Sequence, residues 1–325
     1  MDPSIIFANL LSPSTLFFFL GFAAVLVKSD LEIPHPLPRL FSLYLLVSIG
    51  YQGGAKLAAA GLSGQVLLYV GGGMLMALAI PFAAFFVLRR ILGTADAAAM
   101  AATYGSISVV TFIVGTDFLT RAEVPFGGYM VAIMSLMETP AIVAGILLWR
   151  LFGPSAPAGA ATRDWRRLAH ESVFNGTVFL LLGSLLIGFI TGPTSAKALT
   201  PFTVDLFKGM VLFFLLDTGM LAARKARQLI EVGPKLVAFG IGAPLVHGAA
   251  GMLLAYLMGM SQGDALLFTV LSASSSYIVV PAAMRTAIPE ANPGLFELLS
   301  LSVTFPFNVV VGLPLYFSVI QRVWG

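Results

Sequence analysis

Hydroxyl residues cluster at the centre of two long apolar stretches. One runs Tyr104-Gly105-Ser106-Ile107-Ser108-Val109-Val110-Thr111, the other Leu271-Ser272-Ala273-Ser274-Ser275-Ser276-Tyr277. A stretch of this polarity makes a poor continuous helix, and a break in it frees backbone groups that hydrocarbon cannot satisfy. Where helix resumes, the free N–H groups and the positive end of the half-helix dipole attract an anion, and serine or threonine hydroxyls supplement them. Unwound carbonyls can coordinate a cation such as Na+. The chemistry expected of Gly105, Ser106, Ser108, Ser274, Ser275 and Ser276 is therefore reversible binding of a small anion between two broken helices. Taken singly, each serine suits a packing role better, bonded back to the preceding turn or across to a neighbouring helix. Two such clusters at equivalent positions favour the site.

Carboxylates inside apolar segments are costly and are usually functional. Glu138, in Met137-Glu138-Thr139-Pro140, follows the first cluster and is the leading candidate for cation binding or proton exchange, with Thr111 as its neighbour in a Na+ site. Asp217, before Thr218-Gly219, is a weaker cation candidate that would otherwise pair with Arg224. Asp205 and Lys208 read as an interfacial pair. His247 reads as a buried histidine bonded to a backbone carbonyl rather than a pathway residue. Gly71-Gly72-Gly73 follows no strand and lacks a Lys-Ser/Thr pair, so close helix packing explains it better than a phosphate loop. No histidine or acid pair stands beside the serines at nucleophile–base spacing, which leaves an intramembrane enzyme without support. The chain has no cysteine, and His35, His170 and His247 are far apart, so a resident metal centre has no support either.

The elements that must hold these residues are membrane helices. Of 325 residues, 58% are hydrophobic and 10% charged, against about 25% charged in soluble domains. The basic residues lie in short loops, not along one stripe, which argues against nucleic-acid binding. At about 20 residues per crossing, ten segments emerge: about Ser14-Val27, Ile33-Ala55, Val66-Leu88, Asp96-Phe118, Phe126-Leu151, Ser172-Thr191, Pro201-Ala222, Pro234-Met258, Ala265-Thr286 and Gly294-Ile320. The first has neither a basic leader nor a cleavage site and reads as a retained span. Lys28, Arg89, Arg90, Arg150, Arg163, Arg166, Arg167, Arg224, Lys225, Arg227, Lys235 and Arg285 fall on one side. Lys56, Arg121, Lys197 and Arg322 fall on the other, which predicts both termini outside. Residues 152–167 form a hydrophilic cytoplasmic linker dividing a first repeat, 1–151, from a second, 168–325. An odd number of spans in each half inverts the second relative to the first. An offset of 168 supports the repeat: Asp96 matches Asp264, Ser106 matches Ser274, Ser108 matches Ser276 and Pro125 matches Pro293.

Ser274-Ser275-Ser276, then Pro281, Arg285, Ile288-Pro289 and Ala291-Asn292-Pro293, resemble the ninth-span signature of the SbtA-type sodium-dependent bicarbonate transporters. Gly105, Ser108 and Thr111, the acid-x-Pro motif at Glu138 and Pro140, and Pro244 with Val246-His247-Gly248 resemble matching regions of the same family, and the likeness extends along almost the whole chain. The resemblance implies an all-α membrane protein of the bacterial inner membrane. It implies ten transmembrane helices in two inverted five-helix repeats, with a core domain of two broken helices crossing at the midplane. It further implies a gate domain that can mediate a homotrimer, bicarbonate as substrate, Na+ as coupling ion, and a PII-like cytoplasmic regulator as in cyanobacterial relatives. The chain departs from that pattern at Tyr277, where those relatives carry an aspartate, at Val109-Val110, where they have Gly-Ser, at Glu138, where they have aspartate, and in its shorter linker. The expected function is uptake of bicarbonate or a similar small anion with Na+. Its rivals are a proton-coupled carrier of a small carboxylate and a membrane anion sensor that transports nothing.

Overall fold

The computed structural model describes residues 11–325 apart from 35, 62, 154–175, 227–231 and 278. Most of the expected linker, with Arg163, Arg166 and Arg167, lies outside the described residues. Among those described, all regular structure is helical. The first half comprises α1 (Pro13–Leu26), α2 (Leu37–Ala60), α3 (Gly64–Leu88), α4 (Thr94–Gly105), α5 (Val109–Arg121) and α6 (Tyr129–Phe152). The second comprises α7 (Gly176–Ala198), α8 (Leu206–Ala226, entered through a π-helical turn at Pro201–Asp205), α9 (Pro234–Leu257), α10 (Gln262–Ala273), α11 (Val279–Ala287) and α12 (Pro293–Trp324). Two π-helical stretches, Ser300–Thr304 and Asn308–Gly312, interrupt α12.

Among the described residues, seven helices are long and apolar enough to cross a membrane: α3, α4 with α5 across their break, α6, α7, α8 with its entering turn, α9 and α12. α1 is apolar but has 14 residues. Local chemistry sets the boundaries. Pro13, Pro234 and Pro293 open their helices, where a missing N–H costs nothing. Ser12 and Ser63 cap α1 and α3 through their hydroxyls. α7 runs past the predicted end at Thr191 because the backbone kinks at Gly192 (φ 71°), a left-handed conformation open to glycine, and then continues through Pro193.

The helices pair in two sets. α2 packs along α7 and α1 along α8; elsewhere α3 packs with α4 and α6, α9 with α10, and α10 with α5 and α12. In the first set the backbones touch. A Cβ at Gly21 would collide with the Leu216 carbonyl oxygen and one at Gly219 with that of Phe18; a Cβ at Gly188 would collide with the Tyr51 carbonyl oxygen and one at Gly54 with that of Leu185. The two contact sets are reciprocal and related by shifts of 167 (Gly21 to Gly188, Phe18 to Leu185) and 165 (Gly54 to Gly219, Tyr51 to Leu216). Within a bilayer, helix association depends on such close approach of small residues. Gly219→Ala is expected to destabilise the protein by about 1–3 kcal/mol through overpacking, read as a lowered melting temperature in detergent. Gly209→Ala, on the same helix where a Cβ meets open space, should not lower it.

Candidate functional site

Both hydroxyl clusters are breaks, and both are built the same way. α4 stops at Gly105. Ser106 follows in extended conformation (φ −91°, ψ 177°), and helix resumes at Val109 with the Ser108 hydroxyl accepting the Thr111 N–H at 3.2 Å. α10 stops at Ala273. Ser274 adopts nearly the same angles (φ −86°, ψ 173°), and the Ser276 hydroxyl accepts the Val280 N–H at 3.3 Å. A helix entered from extended backbone leaves N–H groups that a serine can cap, and the two capping serines stand 168 residues apart.

The breaks meet. The Ser108 N–H donates to the Ser274 hydroxyl oxygen at 2.9 Å, and the Ser276 N–H donates to the Thr103 carbonyl at 2.9 Å. Ser274 in turn donates to the Leu271 carbonyl at 2.9 Å, so each break satisfies backbone groups freed by the other. The far ends are crossed as well. Asp96, in the first turn of α4, accepts the Asn292 N–H at 2.7 Å, in the loop after α11. Asp264, in the first turn of α10, accepts the Gly127 N–H at 2.7 Å, in the loop after α5, together with the Tyr129 and Ser261 hydroxyls. The matched aspartates therefore each anchor the exit of the opposite broken helix.

A cavity of about 520 Å³ lies against the crossing. Ser108, Val109 and Val110 bring the N-terminal end of α5 to it, and Ser276, Tyr277 and Val279 bring that of α11. Two positive dipole ends and two capping hydroxyls thus converge on one volume. Glu138, 2% exposed and two residues before Pro140 in α6, lines the same volume, and no ion pair reaches it among the described residues. From α2, Arg39 and Ser42 line it at the end reached by Gly176.

The remaining predicted residues have other places. A Cβ at Gly105 would collide with Pro81 of α3, so this glycine serves close packing at the break. Ser106 and Ser275 are buried with hydroxyls that find no hydrogen-bond partner, and neither lines the cavity. Thr111 is buried below the cap and contributes its N–H. The Tyr277 hydroxyl is buried beside the Ser108 hydroxyl without a well-aligned hydrogen bond, close enough to Asp217 for the two to interact electrostatically. Asp217 is half-buried in α8 and therefore belongs beside the second break. His247 is buried, and its Nδ1 lacks the partner expected of it.

Two residues were missed from sequence. Arg39 was hidden inside an apolar segment, although a cation there is itself a signal. Asn308, buried in α12, donates from Nδ2 to the Ala273 carbonyl at 2.8 Å and so satisfies the end of α10; a lone amide in an apolar helix was the available clue. Among the described residues no group of three acids or histidines could form a metal centre. A cation at this crossing would rely on Glu138, hydroxyls and backbone carbonyls. A family model described as the Na+-dependent bicarbonate transporter superfamily matches residues 13–321. No curated protein matches the chain.

Proposed function

The chain belongs to the Na+-dependent bicarbonate transporter superfamily, and from that premise we propose that it takes up bicarbonate, or a similarly small anion, together with Na+. One observation carries the reading: the N-terminal ends of two half-helices, with Ser108 and Ser276 as their caps, converge on a cavity that also holds the carboxylate of Glu138, which forms no ion pair among the described residues. The first two attract an anion; the last attracts a cation or carries a proton.

In this reading the architecture is ten spans in two inverted repeats. α1, α2 and the broken pair α10–α11 join the seven long apolar helices, and the reciprocal glycine contacts and crossed aspartates support the two-fold relation. α1, α2, α7 and α8 form the gate set, and the other helices form the core. Exposed Leu186, Ile187 and Ile190 on α7 suit lipid or a neighbouring subunit in a trimer. The Lys and Arg distribution supports an orientation with both termini outside, in the bacterial inner membrane of this reading. The cavity reaches the N-terminal ends of α2 and α7, which that distribution assigns to the cytoplasmic side, so the conformation is read as inward-facing.

Proteoliposome uptake of labelled bicarbonate tests this, with and without an inward Na+ gradient. Stimulation of at least several-fold by the gradient is expected. The burial of Glu138 without an ion pair among the described residues favours one rival, proton coupling; uptake that follows a proton gradient and ignores Na+ would establish it and overturn Na+ coupling.

A further inference from the structure

We infer that a second cavity on the same path is an anion-collecting site for a small, singly charged oxyanion. It has a volume of about 210 Å³ and is stacked on the first. Along α2 the first cavity spans residues 39–46 and the second 48–56; along α5 they span 107–113 and 112–120. Buried Leu45, Ile49, Phe112 and Val211 stand about the level where the two cavities adjoin.

The polar groups of this cavity can be accounted for one by one. Asp117 is held by Arg121 at 3.1 Å and by the Ser14 hydroxyl at 3.0 Å. Gln52 donates to the Thr203 hydroxyl at 2.6 Å, which donates onward to the Leu199 carbonyl at 3.0 Å. Thr116 and Thr120 bond back to their own helix. Three donors remain: the ammonium groups of the exposed Lys56 and Lys208, and the hydroxyl of Ser48, which is 0% exposed, makes no well-aligned hydrogen bond and has the Tyr44 hydroxyl beside it. The ammonium of Lys56 rests 4.6 Å over the Phe126 ring, and the ion pairs among the described residues do not include the one expected between Lys208 and Asp205. No carboxylate pairs with either lysine among the described residues. Two cations without a carboxylate partner and a buried, under-bonded hydroxyl facing one small volume suit an acceptor-rich anion, which charge-assisted hydrogen bonds from the ammonium groups would hold. The volume suits a three- or four-oxygen anion with a few waters. Its role as the antechamber of the transported anion, where fixed positive charge raises local anion concentration, rests on the transport reading; the binding itself does not.

The test is calorimetric titration of purified protein in nanodiscs of zwitterionic phosphatidylcholine, with bicarbonate and nitrate as probes. In a Ser108→Ala/Ser276→Ala background, residual binding is expected. Adding Lys56→Gln and Lys208→Gln should weaken it at least tenfold, and Ser48→Ala should weaken it several-fold without lowering the melting temperature. Should that background fold poorly, the same lysine changes in the otherwise unaltered protein should remove one of two binding phases. No residual binding, or binding indifferent to the lysines, overturns the assignment. Repeating the titration with phosphatidylglycerol present separates the two sources of anion. If that lipid displaces the probes and its retention depends on the lysines, the cavity is a lipid headgroup seat and the proposal fails. If the lysine-dependent binding persists but no bicarbonate is transported, the transport reading alone falls.

Discussion

Replacing Ser108 and Ser276 together by alanine is expected to reduce bicarbonate uptake in proteoliposomes by at least a hundredfold while leaving a folded protein. Each hydroxyl caps the half-helix that follows it, and each lines the 520 Å³ cavity. Loss of a cap costs about 1 kcal/mol of stability, which a membrane protein of this size can tolerate twice with a lowered melting temperature. Loss of a hydrogen bond to a charged ligand costs about 1.5–3 kcal/mol each, so the two together remove two to four decades of anion affinity. Ser106→Ala and Ser275→Ala make a sharp control. Their hydroxyls are buried, unpartnered and away from the cavity, so near-normal uptake is expected. If the Ser108/Ser276 variant keeps uptake within about twofold of normal, the serine clusters are packing devices and the crossing is not the anion site.

The two breaks and the residues matched across them were legible in sequence because they are built from side chains whose chemistry is hard to replace. A cap needs a hydroxyl, and an anchor for a free N–H needs a carboxylate, so Ser108 and Ser276, and Asp96 and Asp264, kept register at 168. The α1–α8 and α2–α7 contacts follow the same two-fold relation but slip to 167 and 165. A glycine in an apolar helix has many causes, so Gly21, Gly54, Gly188 and Gly219 announced nothing until their carbonyl partners were seen. Gly105 was drawn into the anion site because a glycine beside a break serves packing and ligand approach alike; only Pro81 decides between them. Arg39 was lost because it sits ahead of an apolar run that a hydropathy window extends over it. The second cavity had no local signal at all. Lys56 and Lys208 are brought together by the packing of α2 beside α8, and an under-bonded hydroxyl such as that of Ser48 becomes evident only when its neighbours have been assigned partners.

Glu138→Gln is expected to uncouple the anion from Na+. In the unaltered protein, Glu138 shares its cavity with the anion seat at the ends of α5 and α11 and forms no ion pair among the described residues. A buried carboxylate in hydrocarbon is retained only where a partner compensates it. Two negative charges in one small volume repel strongly at low dielectric, so the anion binds well once a cation has neutralised Glu138. That repulsion is the physical source of coupling, and couplings of this kind typically change affinity by about 5–150-fold. Titrated with bicarbonate, the unaltered protein should bind at least several-fold more tightly with Na+ than without it. In Glu138→Gln the two affinities should fall within about twofold of each other, and a Na+ gradient should no longer drive accumulation. Asp217→Asn provides the comparison. Asp217 acts on Tyr277 at the second break, where resembling transporters carry an aspartate, and its neutralisation should leave most of the Na+ effect in place. If Asp217→Asn abolishes the Na+ effect and Glu138→Gln preserves it, the cation site lies beside Tyr277, and this chain has replaced a carboxylate within that break by one on α8.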